Sequence, residues 1–184
     1  NDRCFLGGTP SELMDVFGLR RSETDALYDG EENVLLQTKQ DDVTDTYFKQ
    51  SYPCRILCDL LQTDGAAVYF TYGKEFYKGT AAVTGNDYGK GRAYYIGTQA
   101  SLEFLKDFFS YLMEISGIRP AVGGTVPDGA AVSSRIKDGR EYIFVQNFRN
   151  ETTYIGTMNL KGKLLLGKST SKLEPYETIV LIKD

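Results

Sequence analysis

The sequence predicts an α/β layer, a partial open sheet with covering helices, followed by a small antiparallel β-sandwich. Three observations carry that prediction. Apolar strand-like runs between residues 52 and 98 lead into one strongly amphipathic helix, Ser101 to Ser116. Beyond Gly117 and Pro120 the texture changes to short strands and tight turns. The charge balance also changes there: residues 1–118 hold 11 basic and 18 acidic groups and residues 119–184 hold 10 and 7, within a net charge of −4. Residues 1–119 and 120–184 are therefore expected to be separate domains.

The elements follow in order. Cys4-Phe5-Leu6 is a short apolar run ahead of Gly7-Gly8. Thr9-Pro10-Ser11-Glu12 fits a helix start with a capping box and Pro at the first helical position, Leu13, Val16 and Phe17 give the apolar stripe, and Gly18 the stop. Asp29 to Asp45 is polar and acidic except for Val34-Leu35-Leu36, which reads as a short edge strand among loops. Tyr52 to Leu61 and Ala66 to Phe70 read as strands joined at Asp64-Gly65. Thr80 to Thr84 and Arg92 to Thr98 read as two more, flanking a loop from Gly85 to Gly91.

In the helix from Ser101, the serine is the expected N-cap, Leu105, Phe108, Phe109, Leu112, Met113 and Ile115 the apolar face, and Gly117 the stop. Ala130 to Lys137 and Arg140 to Asn147 flank Asp138-Gly139, a type I′ hairpin signal that pairs Val132, Ser134 and Ile136 with Val145, Ile143 and Glu141. Thr152 to Leu160, Lys163 to Leu166 and Thr178 to Ile182 supply the remaining strands.

The chain contains no histidine, which excludes a Ser-His-Asp triad, a Cys-His pair and any His-containing zinc site within it. A glycosidase needs only two carboxylates, so that class stays open. The three cysteines lack framework spacing and read as reduced, intracellular thiols. Cys54 and Cys58 read as buried small hydrophobes on one face of a strand, with no His and no fourth thiolate to complete a metal site. No apolar run approaches the ~20 residues that span a bilayer, and the scattered Lys and Arg residues argue against nucleic acid.

Candidate chemistry is sparse. The loop Gly85-Asn86-Asp87-Tyr88-Gly89-Lys90-Gly91 fails the phosphate-loop pattern in spacing and in lacking a following Ser or Thr, and reads as a tight connection with Gly89 and Gly91 in strained conformations. Glu31-Glu32 and Asp41-Asp42 read as solvated surface rather than an acid–base pair. Tyr142, Phe144, Phe148, Tyr154 and Tyr176 could stack sugars but more often form core, and a carbohydrate platform would more usually offer Trp. Asn150-Glu151-Thr152 fits a glycosylation sequon. No catalytic, cofactor-binding or metal-binding residue is assigned.

The run NDRCFLGGTPSELMDVFGLRRSETDALY resembles the middle, trimerisation domain of the family 42 glycoside hydrolases, the bacterial β-galactosidases. The shared features are Asn1-Asp2, the apolar run, Gly7-Gly8 with Pro10, the short helix ending at Gly18, and Glu23-Thr24-Asp25-Ala26-Leu27; Ser11-Glu12 departs from the pattern. Tyr72 to Tyr77 and Gly89 to Thr98 are similar to the later half of that domain, and Val126-Pro127-Asp128-Gly129 with Leu173 to Glu177 to the family's small C-terminal β domain. The resemblance implies a glutamine amidotransferase-like fold for residues 1–119, without the nucleophile, since Cys4 lacks elbow glycines and no His exists.

It further implies a non-catalytic C-terminal fragment of a cytoplasmic β-galactosidase of carbohydrate metabolism. The parent would hydrolyse terminal β-galactosides with retention, on a barrel upstream of this chain. The chain would hold three subunits together and so shape or shield their active sites, and would be inactive alone. On that reading residues 1–118 carry a large apolar or aromatic surface. A freestanding small-molecule-binding α/β domain would instead show a closed pocket, and a carbohydrate-binding module would show exposed coplanar aromatics on the β part.

Overall fold

The structure, a computed structural model, describes residues 9–183. The expected features at Cys4-Phe5-Leu6 and Gly7-Gly8 lie outside the described residues. The chain forms two compact units, Asn1–Gly117 and Ile118–Asp184.

In the first unit a 3-10 turn (Ser11–Leu13) runs into the one-turn helix α1 (Met14–Phe17), which ends at Gly18 in the left-handed region, φ 59°. The stop is the expected one; the start is not. Thr9 caps nothing: its hydroxyl accepts from Arg21 Nε at 2.6 Å and its carbonyl from the Arg21 N–H at 2.7 Å, so it holds the next strand. Seven strands follow: β1 (Leu19–Ala26), β2 (Asn33–Gln37), β3 (Ser51–Thr63), β4 (Ala67–Tyr72), β5 (Ala81–Tyr88), β6 (Gly91–Ile96) and β7 (Thr98–Ala100). They make one sheet in the order β1-β3-β2-β4-β5-β6, with β7 also on β3.

The expected amidotransferase-like α/β fold is overturned. Every pairing in this sheet is antiparallel. A wound α/β layer needs parallel strands joined by crossover helices, whereas here β4 pairs directly with the next strand β5, and β5 with β6 through a tight hairpin. The sheet is not open either, because β5 returns to β3 at Leu61–Ala81 and closes it on itself. Val34-Leu35-Leu36 is no edge: β2 lies between β3 and β4. The edge is β1, whose polar residues Arg20, Glu23 and Thr24 are exposed, as suits a strand that must not recruit another chain. Strand β5 extends through Gly85 to Tyr88, so the expected glycine loop shrinks to a turn at Gly89-Lys90, with Gly89 at φ 59° and Gly91 outside the left-handed region.

Two helices accompany the sheet. Helix α2 (Asp42–Tyr47) begins at a capping box, in which the Asp41 carboxylate accepts from the Thr44 N–H at 2.8 Å and Thr44 Oγ1 accepts from the Asp41 N–H at 2.9 Å. Helix α3 (Leu102–Ile115) is capped by Ser101, whose hydroxyl accepts from the Phe104 N–H at 3.2 Å. Its buried residues are Phe104, Phe108 and Tyr111, while Phe109 is 60% exposed, so the inward face is rotated from the expected one. Those rings meet Phe48, Tyr52 and Phe70 in the core, Phe104 edge-on to Phe70 at 5.3 Å and stacked on Phe108 at 5.6 Å.

The second unit contains β8 (Gly123–Gly124), β9 (Ala130–Lys137), β10 (Arg140–Asn147), β11 (Thr153–Tyr154), β12 (Met158–Asn159), β13 (Lys163–Leu166), β14 (Lys172–Leu173) and β15 (Thr178–Lys183). Strands β13-β15-β10-β9 form a four-stranded antiparallel sheet, and β11–β14 and β12–β8 form two short ribbons. Strands β9 and β10 pair in the expected register, Val132 with Val145, Ser134 with Ile143 and Ile136 with Glu141, around Asp138 and Gly139 at φ 52° and 75°. Thr152 to Leu160, expected as one strand, is two short ones around a turn. Ile143, Val145, Ile155, Leu173, Ile179 and Leu181 form the core. Beside it Asn147 is 3% exposed and fully engaged, accepting from Thr153 Oγ1 and the Arg149 N–H and donating to the carbonyls of Glu151 and Glu174.

Candidate assembly surface

Strand β3 carries the least expected backbone in the chain. Against β7 it pairs Cys54 with Ala100 and Arg55 with Gln99, but the next pair is Cys58 with Thr98. Two residues, Ile56 and Leu57, therefore bulge out of the ladder. Ile56 sits at φ 67°, a left-handed conformation that a β-branched residue rarely adopts and that costs about 1–2 kcal/mol. Its carbonyl accepts from the Leu27 N–H at 2.8 Å and that of Leu57 from Thr98 Oγ1 at 2.6 Å, which fixes the bulge on both sides. The side chains are left outside, Ile56 55% and Leu57 36% exposed.

Two more arms reach the same end of the sheet. After β4, the 73–80 turn contains Glu75 at φ 64° and displays Phe76, 79% exposed, against the buried Tyr77, with ring centroids 4.9 Å apart. After β1, Tyr28 is 81% exposed on a turn that Glu31 closes by accepting from the Tyr28 N–H at 2.9 Å.

Hydrogen bonds tie the arms together. Tyr77 donates to Asp25 at 2.8 Å, buried Asn33 both accepts from the Lys74 N–H and donates to the Lys74 carbonyl, and Lys74 Nζ donates to the Glu32 carbonyl. Arg55 is paired with Glu32. These bonds bring the turns that carry the exposed Tyr28 and Phe76 to the part of β3 that carries the exposed Ile56 and Leu57, beside the charged Glu32, Arg55 and Lys74, a mix of apolar and charged residues that suits a contact surface. Strained backbone at non-glycine positions is concentrated where structures bind or switch.

In β3 lie Cys54 and Cys58, 1% and 0% exposed, with Tyr72, Tyr77 and Thr98 around them. Cys58 Sγ is 3.9 Å from Thr98 Oγ1. The Cys54 thiol, and after it the hydroxyls of Tyr77, Thr98 and Tyr72, pull the Cys58 thiol down to about 7 against burial, while the Cys54 thiol is pushed up by its partner. Burial pushes both Tyr72 and Tyr77 up, so these phenols stay protonated.

The carboxylates expected to be surface serve local structure: Glu31 closes the Tyr28 turn, Glu32 pairs with Arg55 and Asp41 caps α2, and Asp42 is exposed in the first turn of α2. Asp59, which the sequence did not single out, is 5% exposed and accepts from Thr24 at 2.5 Å, Tyr95 at 2.7 Å and Arg21 at 3.3 Å. These bonds join β1 and β6 to β3 through Asp59. Among the described residues no group of three or more His, Cys, Asp or Glu converges as a metal site, and no helix is long and apolar enough to cross a membrane.

A groove of about 510 Å³ beside Met14, Asp15, Arg20, Gln62, Asp64 and Asn86 is polar and open to solvent. In the second unit Tyr142 and Phe144 are half-buried, while Phe148, Tyr154 and Tyr176 are exposed.

Comparison with known proteins adds the following. A family model described as the β-galactosidase trimerisation domain matches residues 1–119. The β-galactosidase Pbg of Clostridium perfringens is 37% identical over 180 residues, covering 96% of this chain and 26% of that protein. BgaP of Planococcus sp. (strain L4) is 34% identical over 186 residues, covering 99% of this chain and 27% of that protein. The crystal structure of the β-galactosidase from Bacillus circulans sp. alkalophilus superposes over 100% of this chain and 27% of its own, with a TM-score of 0.76 and 31% identity. The chain spans about a quarter of the length of these relatives.

Proposed function

The chain belongs to the family of the β-galactosidase trimerisation domain, and from that membership we propose that it is the assembly segment of a longer, bacterial β-galactosidase. The catalytic barrel of that enzyme precedes this chain, and two glutamates there, about 5 Å apart, hydrolyse terminal β-galactosides with retention. Three copies associate through this segment in the cytoplasm, residues 1–119 serve assembly, and residues 120–184 form a distinct β domain. No residue of this chain touches the galactoside or binds a cofactor or metal.

The observation that carries this reading is the patch of Tyr28, Ile56, Leu57 and Phe76. Large apolar and aromatic side chains held outward by hydrogen-bonded, strained turns are costly in a free chain and useful once covered. The test is Ile56→Asp with Phe76→Asp in the full-length protein, followed by sedimentation. The expected result is dissociation of the trimer, with each subunit's unfolding midpoint retained. A trimer that survives both substitutions refutes the assignment of this surface. The chain alone is expected to release no galactose from a galactoside, and turnover from a clean preparation refutes the non-catalytic role.

A further inference from the structure

Strand β3 holds a thiol pair whose placement assembly alone does not require. In a regular strand, residues four apart are separated by about 13 Å, at ~3.3 Å per step. Here Cys54 and Cys58 lie opposite Ala100 and Thr98, so four steps of β3 match two steps of β7. Two steps of ~3.3 Å put their Cα atoms about 6.6 Å apart, near the upper end of the ~4.4–6.8 Å that a disulfide bridges. Ala100 and Thr98 are two steps apart on β7, so the cysteines opposite them share a face. Both are reduced and buried.

We propose that Cys54 and Cys58 are a redox pair that closes into an intrastrand disulfide across the Ile56–Leu57 bulge, switching the assembly surface between two shapes. The inference rests on that bulge being the contact surface. The oxidant class is a hydroperoxide. The Cys58 thiolate attacks the terminal peroxide oxygen, breaking the O–O bond; the alkoxide or hydroxide released takes up a proton and Cys58 becomes a sulfenic acid. The Cys54 sulfur then attacks the Cys58 sulfur, the S–O bond breaks, and the leaving hydroxide takes the Cys54 proton and departs as water. Two thiols lose two electrons and the peroxide gains them. A dithiol reverses the bond by exchange.

Geometry explains the order of events. Cys58 has the hydroxyls of Tyr72, Tyr77 and Thr98 around it to hold a thiolate, and Cys54 keeps its proton until the second step. The exposed bulge of Ile56 and Leu57 lies between the two cysteines in the strand, and its local opening admits the oxidant. Closing the disulfide draws the two Cα atoms together and shifts the residues between them. Ile56 and Leu57 then no longer match the surface they bind in the reduced protein.

The full-length protein is treated with hydrogen peroxide, alkylated unfolded and digested. Trypsin cuts after Arg55, so the pair falls on separate peptides, residues 50–55 and 56–74. The expected result is one peptide pair joined through Cys54 and Cys58 that replaces both alkylated peptides and separates with dithiothreitol. In Cys54→Ser, a dimedone adduct on Cys58 replaces it. Sedimentation of the oxidised protein is expected to show loss of trimer that dithiothreitol restores. Both thiols alkylated after peroxide, or bonded to other cysteines, overturn the pair. A disulfide without loss of trimer, where Ile56→Asp does dissociate it, overturns the switch and leaves the assembly reading intact. If Ile56→Asp and Phe76→Asp together leave the trimer whole, that reading fails first and the switch with it.

Discussion

Replacing Ile56 by glycine separates the two roles assigned to the bulge. The wild-type residue sits at φ 67°, and glycine relieves a left-handed strain of about 1–2 kcal/mol. Against that, glycine adds about 0.5–1 kcal/mol of chain entropy to be lost on folding. Ile56 is 55% exposed, so slightly under half of its side chain is buried in the isolated chain. Losing that share of a fully buried isoleucine costs about 0.7–1.4 kcal/mol. The terms nearly cancel, and the isolated chain should hold its stability within about 1 kcal/mol.

On the proposed assembly, trimer formation buries the exposed half as well. Its loss weakens assembly by about 0.7–1.4 kcal/mol for each subunit, so by about 2–4 kcal/mol for three copies. That is a change of roughly 30- to 1,000-fold in the association constant. Urea unfolding of the chain gives the first quantity, and sedimentation of the full-length protein against concentration gives the second. A chain destabilised by more than about 2 kcal/mol with an unchanged trimer refutes the argument, because Ile56 would then be ordinary core.

Other substitutions probe the scaffold. Phe104→Ala empties the centre of the aromatic core, where Phe104 is 0% exposed, and should cost about 3–5 kcal/mol in urea unfolding. Gly85→Ala places a Cβ 2.9 Å from both Tyr69 Cε2 and Tyr94 Cε1, and should cost about 1–3 kcal/mol by the same measurement. The Asp41 carboxyl is drawn down from 3.8 to about 2 by Lys39 first and the Thr44 N–H next. The folded state thus holds its proton less tightly than the unfolded state. Its contribution is complete above 3.8 and lost as pH falls through about 2. Asp41→Asn, which keeps the cap without the charge, should flatten the fall in urea midpoint over that window.

What could be read from the sequence was local. The 130–147 hairpin was legible because Asp138-Gly139 supplies two positive-φ positions between alternating strands, which sets the register without help from elsewhere. Helix α3 was legible as a helix, yet its inward face depends on where Phe48, Tyr52 and Phe70 stand, and those come from other elements. The fold class was misread because apolar strands followed by a covering helix look alike whether the strands run parallel or antiparallel; the partner of each strand is a non-local fact.

Strand β1 escaped notice because an edge strand with Arg20, Arg21, Glu23 and Asp25 has no apolar alternation to show. The assembly patch escaped for a related reason. Ile56 reads as ordinary strand core, and no glycine announces a left-handed position there. Tyr28 and Phe76 are single aromatics in polar turns whose meeting at one end is set by the closed sheet.

Strand β3 pairs with β1, β2, β5 and β7, so its partners run from Leu19 to Ala100. During synthesis its apolar stretch from Ile56 to Leu61 is made, and emerges from the ribosome, ahead of β5 and β7. At about 5–20 residues per second, a few seconds pass before Ala100 is made. Throughout that time one flank of the unit's longest strand has no native neighbour. Nascent chains on one message, each carrying the same unpaired strand, are then close enough to pair with one another. The first unit is thus most vulnerable to aggregation while it is being made rather than once folded, and its yield should depend on chaperones that shelter the nascent chain up to residue 100.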